Sequence, residues 1–155
     1  MVISNNFIGH LAKNSLGPLV MTQSLHPILE RAAANGVALE MQGAVAVVRL
    51  CRPAKRNALN DALIEALRDV FQNLPPEARA AVVHGEGDHF CAGLDLSELK
   101  ERDAGEGIHH SRGWHVALNA VEQGRVPVVC ALHGAVVGGG LELASASHIR
   151  VADES

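Results

Sequence analysis

The chain has 155 residues, 48% apolar and 19% charged, with a formal net charge of −4. That balance is globular, sufficient for one hydrophobic core and outside the disordered class of low hydrophobicity and high net charge. The 13 Lys and Arg form no basic stripe and only 3% of residues are aromatic, which excludes a nucleic-acid surface built on phosphate contacts and base stacking.

The first stretch, residues 1–36, has weak periodicity and reads as an N-terminal extension with a short helix at "HPILERAAANG", stopped by Gly36. Its uncharged run "NSLGPLVMTQSLHPIL" is too short and polar for a bilayer, and no basic segment leads into an apolar one as in a secretory signal. No membrane is expected as a partner. From Val37 the texture changes: "VALEMQ" and "AVAVVRL" alternate as two strands, with Gly43 supplying the positive φ of a hairpin. The polar loop "CRPAKRNALN" leads into "DALIEALRDVFQNL", whose Leu63, Leu67, Val70, Phe71 and Leu74 share one helical face, capped by Asn60 or Asp61.

"RAAVVHG" follows as a strand covered on both faces. The loop "EGDHFCAGLDLSELK" carries a helical turn from Asp95 to Lys100, and "RDAGEG" is flexible by composition. A helix over residues 108–122 is predicted from Trp114, Ala117, Leu118 and Val121, then the strand "VPVVCALHG" and a helix opened by three glycines. A last strand begins near "HIRVADES". Strands alternating with helices predict an α/β fold with a mostly parallel sheet.

In a parallel sheet the working surface lies beyond the carboxyl ends of the strands. Two glycine-bearing loops occupy that place, "HFCAGLDL" and "HGAVVGGGLEL". Glycine lets a ligand approach the main chain, and the first amides of a helix are unpaired at the positive end of its dipole. Two such amides aimed at one point form an oxyanion hole. Glu142, three residues after Gly139, sets a carboxylate on the first turn beside it.

"CRPAKRNALN", "HFCAGLDLSEL" and "HGAVVGGGLELA", in this order, resemble the three signature segments of the crotonase superfamily, the enoyl-CoA hydratases and isomerases. The resemblance runs from about Val37 to the end, making residues 37–155 an incomplete crotonase-like core. It implies a spiral of ββα repeats, a homotrimer or hexamer, and an acyl-CoA substrate with no cofactor beyond the CoA that substrate carries. By motif position it puts the two donor amides on Ala92 and Gly139 and the first catalytic glutamate on Glu142. Ala54, Lys55, Arg56 and Ala58 match the segment along CoA; Gly93, Leu94, Asp95 and Leu96 match the part beneath the acyl group and adenine; Gly138 and Gly140 flank the donor. The expected reaction is hydration of an α,β-unsaturated thioester through an enolate, with double-bond isomerisation and a non-catalytic CoA-binding subunit as the alternatives.

The family's second glutamate and its C-terminal helices have no counterpart, so the chain is expected to be the amino-terminal part of a longer polypeptide. Lys55 and Arg56 could be solvated loop charges, Cys91 a small buried thiol, Asp95 a turn residue, and His133 packing at a strand end. The nine histidines have no metal-ligand spacing, so no metal is expected. Cys51, Cys91 and Cys130 form no CxxC pair, which fits a reducing, cytoplasmic address.

Overall fold

The computed structural model describes residues 26–98 and 103–155. Helix α1 (His26–Ala34), strands β1 (Val37–Gln42) and β2 (Val45–Leu50), helix α2 (Asp61–Gln72), β3 (Ala80–Gly85), α3 (Ala104–Glu122), β4 (Val128–Leu132), α4 (Gly139–Ala146) and β5 (Ile149–Ala152) follow in chain order. One five-stranded sheet runs β1-β2-β3-β4-β5; β1 and β2 are antiparallel and the other three pairings parallel.

The hairpin between β1 and β2 turns on Gly43, at φ 60°. α2 is capped by Asn60, whose side chain accepts the Leu63 N–H at 3.0 Å, and it buries Leu63, Ile64, Leu67, Val70 and Phe71. These meet Val48, Leu50, Ala81, Val83, Val128 and Cys130 from the sheet, with Val121 of α3 and Leu143 of α4, in one core. Helix α1, assigned by sequence to the extension, packs on that core through Ala32 and Leu29, and Arg31 pairs with Asp69 of α2.

Two further pairings organise the crossovers. Isolated parallel bridges join Leu59 to Leu94 and Cys91 to Val136. Each of β2, β3 and β4 is therefore followed by a short extended segment and then a helix, three turns of a strand, segment, helix repeat. This is the ββα spiral that the motifs imply.

One element starts earlier than its composition suggests. α3 begins at Ala104 rather than 108 despite Gly105 and Gly107, because Asp103 and Glu106 form a reciprocal capping box. Asp103 accepts the Glu106 N–H at 2.8 Å, satisfying end groups that glycine propensity alone would leave frayed. The helical turn expected from Asp95 is a 3-10 turn over Leu96–Glu98; its extension to Lys100 lies outside the described residues. Among the described residues no helix is long and apolar enough to cross a membrane.

Candidate active site

Three segments leave the carboxyl ends of β2, β3 and β4 side by side. On one flank of the central segment, Cys91 donates its N–H to Ala135 O at 2.9 Å and accepts the Val137 N–H at 3.1 Å. On the other flank, Ala92 N–H reaches Arg56 O at 3.0 Å, Leu59 N–H reaches Gly93 O at 2.7 Å and Asp95 N–H reaches Leu59 O at 2.8 Å. Gly93 is essential to the junction. It sits at φ +90°, and a Cβ there would lie 2.8 Å from Val137 O. No side chain fits between the loops.

This lacing corrects one expected donor. The Ala92 N–H is spent on Arg56 O and points into the scaffold, so it is not a free donor. The free amide is two residues on. In a trans peptide the N–H lies opposite the C=O, so the Gly93 carbonyl, held by Leu59, turns the Leu94 N–H toward the flank where residues 135–139 run. Leu94 N–H has no hydrogen-bond acceptor among the described residues. The family motif puts a donor at residue 92; the hydrogen-bond register, which sequence does not display, spends that amide and leaves the Leu94 amide without an acceptor among the described residues.

Gly138, at φ 52° and ψ −122°, is the N-cap of α4, and Gly139 is its first residue. The Gly138 carbonyl accepts the Glu142 N–H at 3.0 Å, so the Gly139 N–H points back out of the helix start, with no acceptor among the described residues. Gly140 lies against Cys91, where a Cβ would be 2.5 Å from the Cys91 carbonyl.

Glu142 lies in the first turn of α4, exposed, with no side-chain hydrogen bond or ion pair among the described residues. Gly139 is roofed by hydrocarbon: a Cβ on it would come within 2.9 Å of Trp114 Cζ3 and 3.2 Å of Leu59 Cδ1. Leu96, Val137 and Leu141 are among the exposed large apolar side chains, at 72%, 57% and 53%. Each lies within two residues of Leu94 or Gly139 in the sequence.

Arg52 and Asn57 were not singled out from the sequence, yet they hold the loops together. Asn57 is fully buried at φ 55°. Its Oδ1 accepts the Arg52 N–H at 2.9 Å, and its Nδ2 donates to Glu86 O at 2.9 Å and His89 O at 2.7 Å. Arg52 donates to Ala58 O at 2.6 Å and to Asp95 Oδ2 at 2.8 Å. The signal available was a tolerant Asn in a tight polar loop beside proline.

Asp95 is a turn residue, as expected, through Ser97 N–H at 3.1 Å and Ser97 O–H at 2.6 Å, and it is also the partner of Arg52. The Ser97 hydroxyl and then the Arg52 guanidinium lower its pKa to about 2. Lys55, half exposed, donates to Ser97 Oγ at 3.0 Å, 3.8 Å from Asp95 Oδ1. Arg56 is exposed and its guanidinium has no partner among the described residues. Ala54 lies exposed in the 3-10 turn before it, and Ala58 is buried beneath.

Burial pushes the Cys91 thiol up to about 11, which fits an inert packed thiol rather than a nucleophile. His89 Nδ1 accepts the Ala135 N–H at 3.2 Å and His133 Nε2 meets Gly87 O at 3.1 Å, so both rings serve the loop scaffold. Among the described residues no group of three His, Cys, Asp or Glu could hold a metal ion.

A mostly parallel spiral carries, at one loop junction, two amides without acceptors among the described residues and a nearby exposed carboxylate. The profile described as enoyl-CoA hydratase/isomerase matches residues 40–155, and the chain belongs to that family. A Rhodopseudomonas palustris protein, named provisionally as an enoyl-CoA hydratase, has a solved structure 56% identical, with a TM-score of 0.74 over 76% of this chain and 45% of its own. A Thermobifida fusca relative solved in complex with acetoacetyl-CoA is 26% identical, with a TM-score of 0.72 over 80% of this chain and 53% of its own. The peroxisomal Delta(3,5)-Delta(2,4)-dienoyl-CoA isomerase of Arabidopsis thaliana is 36% identical over 66% of this chain and 42% of its own. The chain spans about half the length of the curated relatives it matches.

Proposed function

We propose that the protein processes acyl-CoA thioesters by stabilising an enolate, with Leu94 N–H and Gly139 N–H as the two donors to the thioester oxygen. The observation that carries this reading is the junction itself: two amides without acceptors among the described residues on adjoining segments, with Glu142 on the helix turn that one of them opens. Preorganised donors act where charge develops, and loss of one typically costs about 3 kcal/mol of transition-state stabilisation. The exposed apolar side chains of Leu96, Val137 and Leu141 suit an acyl group, and the Arg56 guanidinium, without a partner among the described residues, suits a CoA phosphate.

In hydration, Glu142 takes a proton from water as the oxygen bonds to Cβ and the π electrons move to the thioester oxygen; Glu142 then returns that proton to Cα, which restores both the carbonyl and the carboxylate. Isomerisation is the second reading, favoured by the likeness to a dienoyl-CoA isomerase. Asp95 is committed to Arg52, leaving Glu142 as the free carboxylate beside the amides among the described residues. A single carboxylate can carry a proton from one carbon to another through the same enolate.

Incubating the protein with crotonyl-CoA and with a 3-enoyl-CoA in 18O-labelled water, alongside Glu142→Gln, tests both. Label in a 3-hydroxyacyl product supports hydration and an unlabelled shifted double bond supports isomerisation. Glu142→Gln is expected to lower either rate by about 10² to 10⁴; equal rates remove Glu142 from the reaction. The three free cysteines, Cys91 and Cys130 buried, fit a cytoplasmic protein. Assembly as a trimer or hexamer completes the reading, and a monomer in sedimentation would reject it.

A further inference from the structure

Leu94 contributes only a backbone N–H, so its usefulness depends on how firmly the Gly93–Leu94 peptide is held. Gly93 sits at φ +90° with no side chain to restrain it. Rotation of that peptide would turn its N–H away and present the Gly93 carbonyl instead, which repels a developing anion.

The flanking peptides are held by Leu59: its N–H binds Gly93 O at 2.7 Å and its C=O accepts the Asp95 N–H at 2.8 Å. Leu59 is held in turn. Arg52 donates to the carbonyl of Ala58, the residue before it, at 2.6 Å, and the same guanidinium reaches Asp95 Oδ2 at 2.8 Å. The links form a closed ring from Asp95 through Arg52 and Ala58 to Leu59 and back to residues 93 and 95. Leu94 is the member whose own N–H stays out of the ring. Asp95 is only 4% exposed. A buried ion pair adds little net stability, because desolvation offsets attraction, and its best-attested use is to fix geometry.

We infer that Asp95 is a positioning residue, acting through Arg52 to aim the Leu94 N–H at the reacting oxygen. The inference rests on the enolate-holding reading above. It differs from a turn role because Ser97 alone would satisfy the turn, while the Arg52 link crosses to another segment.

The test is a cycle of Asp95→Asn, Arg52→Lys and the double variant, measured for turnover of the enoyl-CoA that the wild type accepts and for the 1H–15N response of the Leu94 and Gly139 amides to acetoacetyl-CoA. Each single variant is expected to lower kcat by tenfold to a hundredfold with KM within twofold, Arg52→Lys being the milder. The double variant is expected to be no slower than Asp95→Asn, since one ring is broken once. In both singles the Leu94 amide response should shrink while that of Gly139 persists.

Additive losses, a change in KM alone, or an undiminished Leu94 response in Asp95→Asn would overturn the assignment. If Asp95→Asn does not fold, an undiminished Leu94 response in Arg52→Lys overturns it equally. A wild type that neither turns over nor shows any amide response would instead reject the enolate-holding reading itself.

Discussion

Asn57 gives the sharpest quantitative test of the scaffold. Replacing it with glycine keeps a residue that accepts φ 55° and deletes three hydrogen bonds, from Arg52 N–H and to Glu86 O and His89 O. The side chain is fully buried, so the abandoned groups cannot readily turn to water. At about 1 kcal/mol each the bonds amount to about 3 kcal/mol, which for a chain of this length lowers Tm by about 6–12 °C. Asn57→Ala should be worse by about 1–2 kcal/mol, because a Cβ in the left-handed region adds strain. Thermal unfolding followed by circular dichroism reads all of these. A Tm for Asn57→Gly within 2 °C of wild type, on the scale of about 2–4 °C per kcal/mol, would refute the view that this residue ties the loops together.

Gly93→Ala is expected to destabilise by about 1–3 kcal/mol and to abolish turnover, since both φ +90° and the Val137 carbonyl at 2.8 Å oppose a Cβ; normal activity would contradict the described junction. Thiol labelling of the native protein should reach Cys51 first and leave Cys91 and Cys130 untouched until denaturant is added, because burial raises both of those thiols to about 11. Acid should weaken the fold in a fixed order. His84, its pKa lowered by burial, withdraws stability as pH falls below its ordinary range. Asp95, lowered to about 2, contributes stability that is complete above about pH 4 and is lost as pH falls toward 2, so Asp95→Asn should flatten that lower limb in pH-dependent urea titrations. The single Trp114 roofs Gly139, so its fluorescence should respond to acetoacetyl-CoA; an unchanged spectrum at a concentration that displaces bound CoA would place the ligand elsewhere.

The sheet and helices were legible because apolar periodicity is local. The Leu63, Leu67, Val70 and Phe71 stripe and the runs in β2, β3 and β4 each announce their buried face. α3 was underestimated because Gly105 and Gly107 signal flexibility, whereas the Asp103 and Glu106 capping box is a pairwise effect that outweighs them. At the site, glycine followed by a lone acid pointed to Gly139 and Glu142. The other amide could not be read the same way: whether Ala92 or Leu94 is free depends on which N–H meets the Arg56 carbonyl and which carbonyl meets the Leu59 N–H, a property of register between segments more than thirty residues apart in sequence. Arg52 and Asn57 were hidden for a related reason, since a loop Arg or Asn looks solvated until its partners on other loops are known.

The two amide protons can be watched directly. In a 15N-labelled sample titrated with acetoacetyl-CoA, the Leu94 and Gly139 amide protons should move downfield together along one binding curve, while Ala92, already bonded to Arg56, stays near its free position. A titration in which Ala92 moves and Leu94 does not, or in which Leu94 and Gly139 follow different curves, would rule out Leu94 and Gly139 as joint donors to one oxygen.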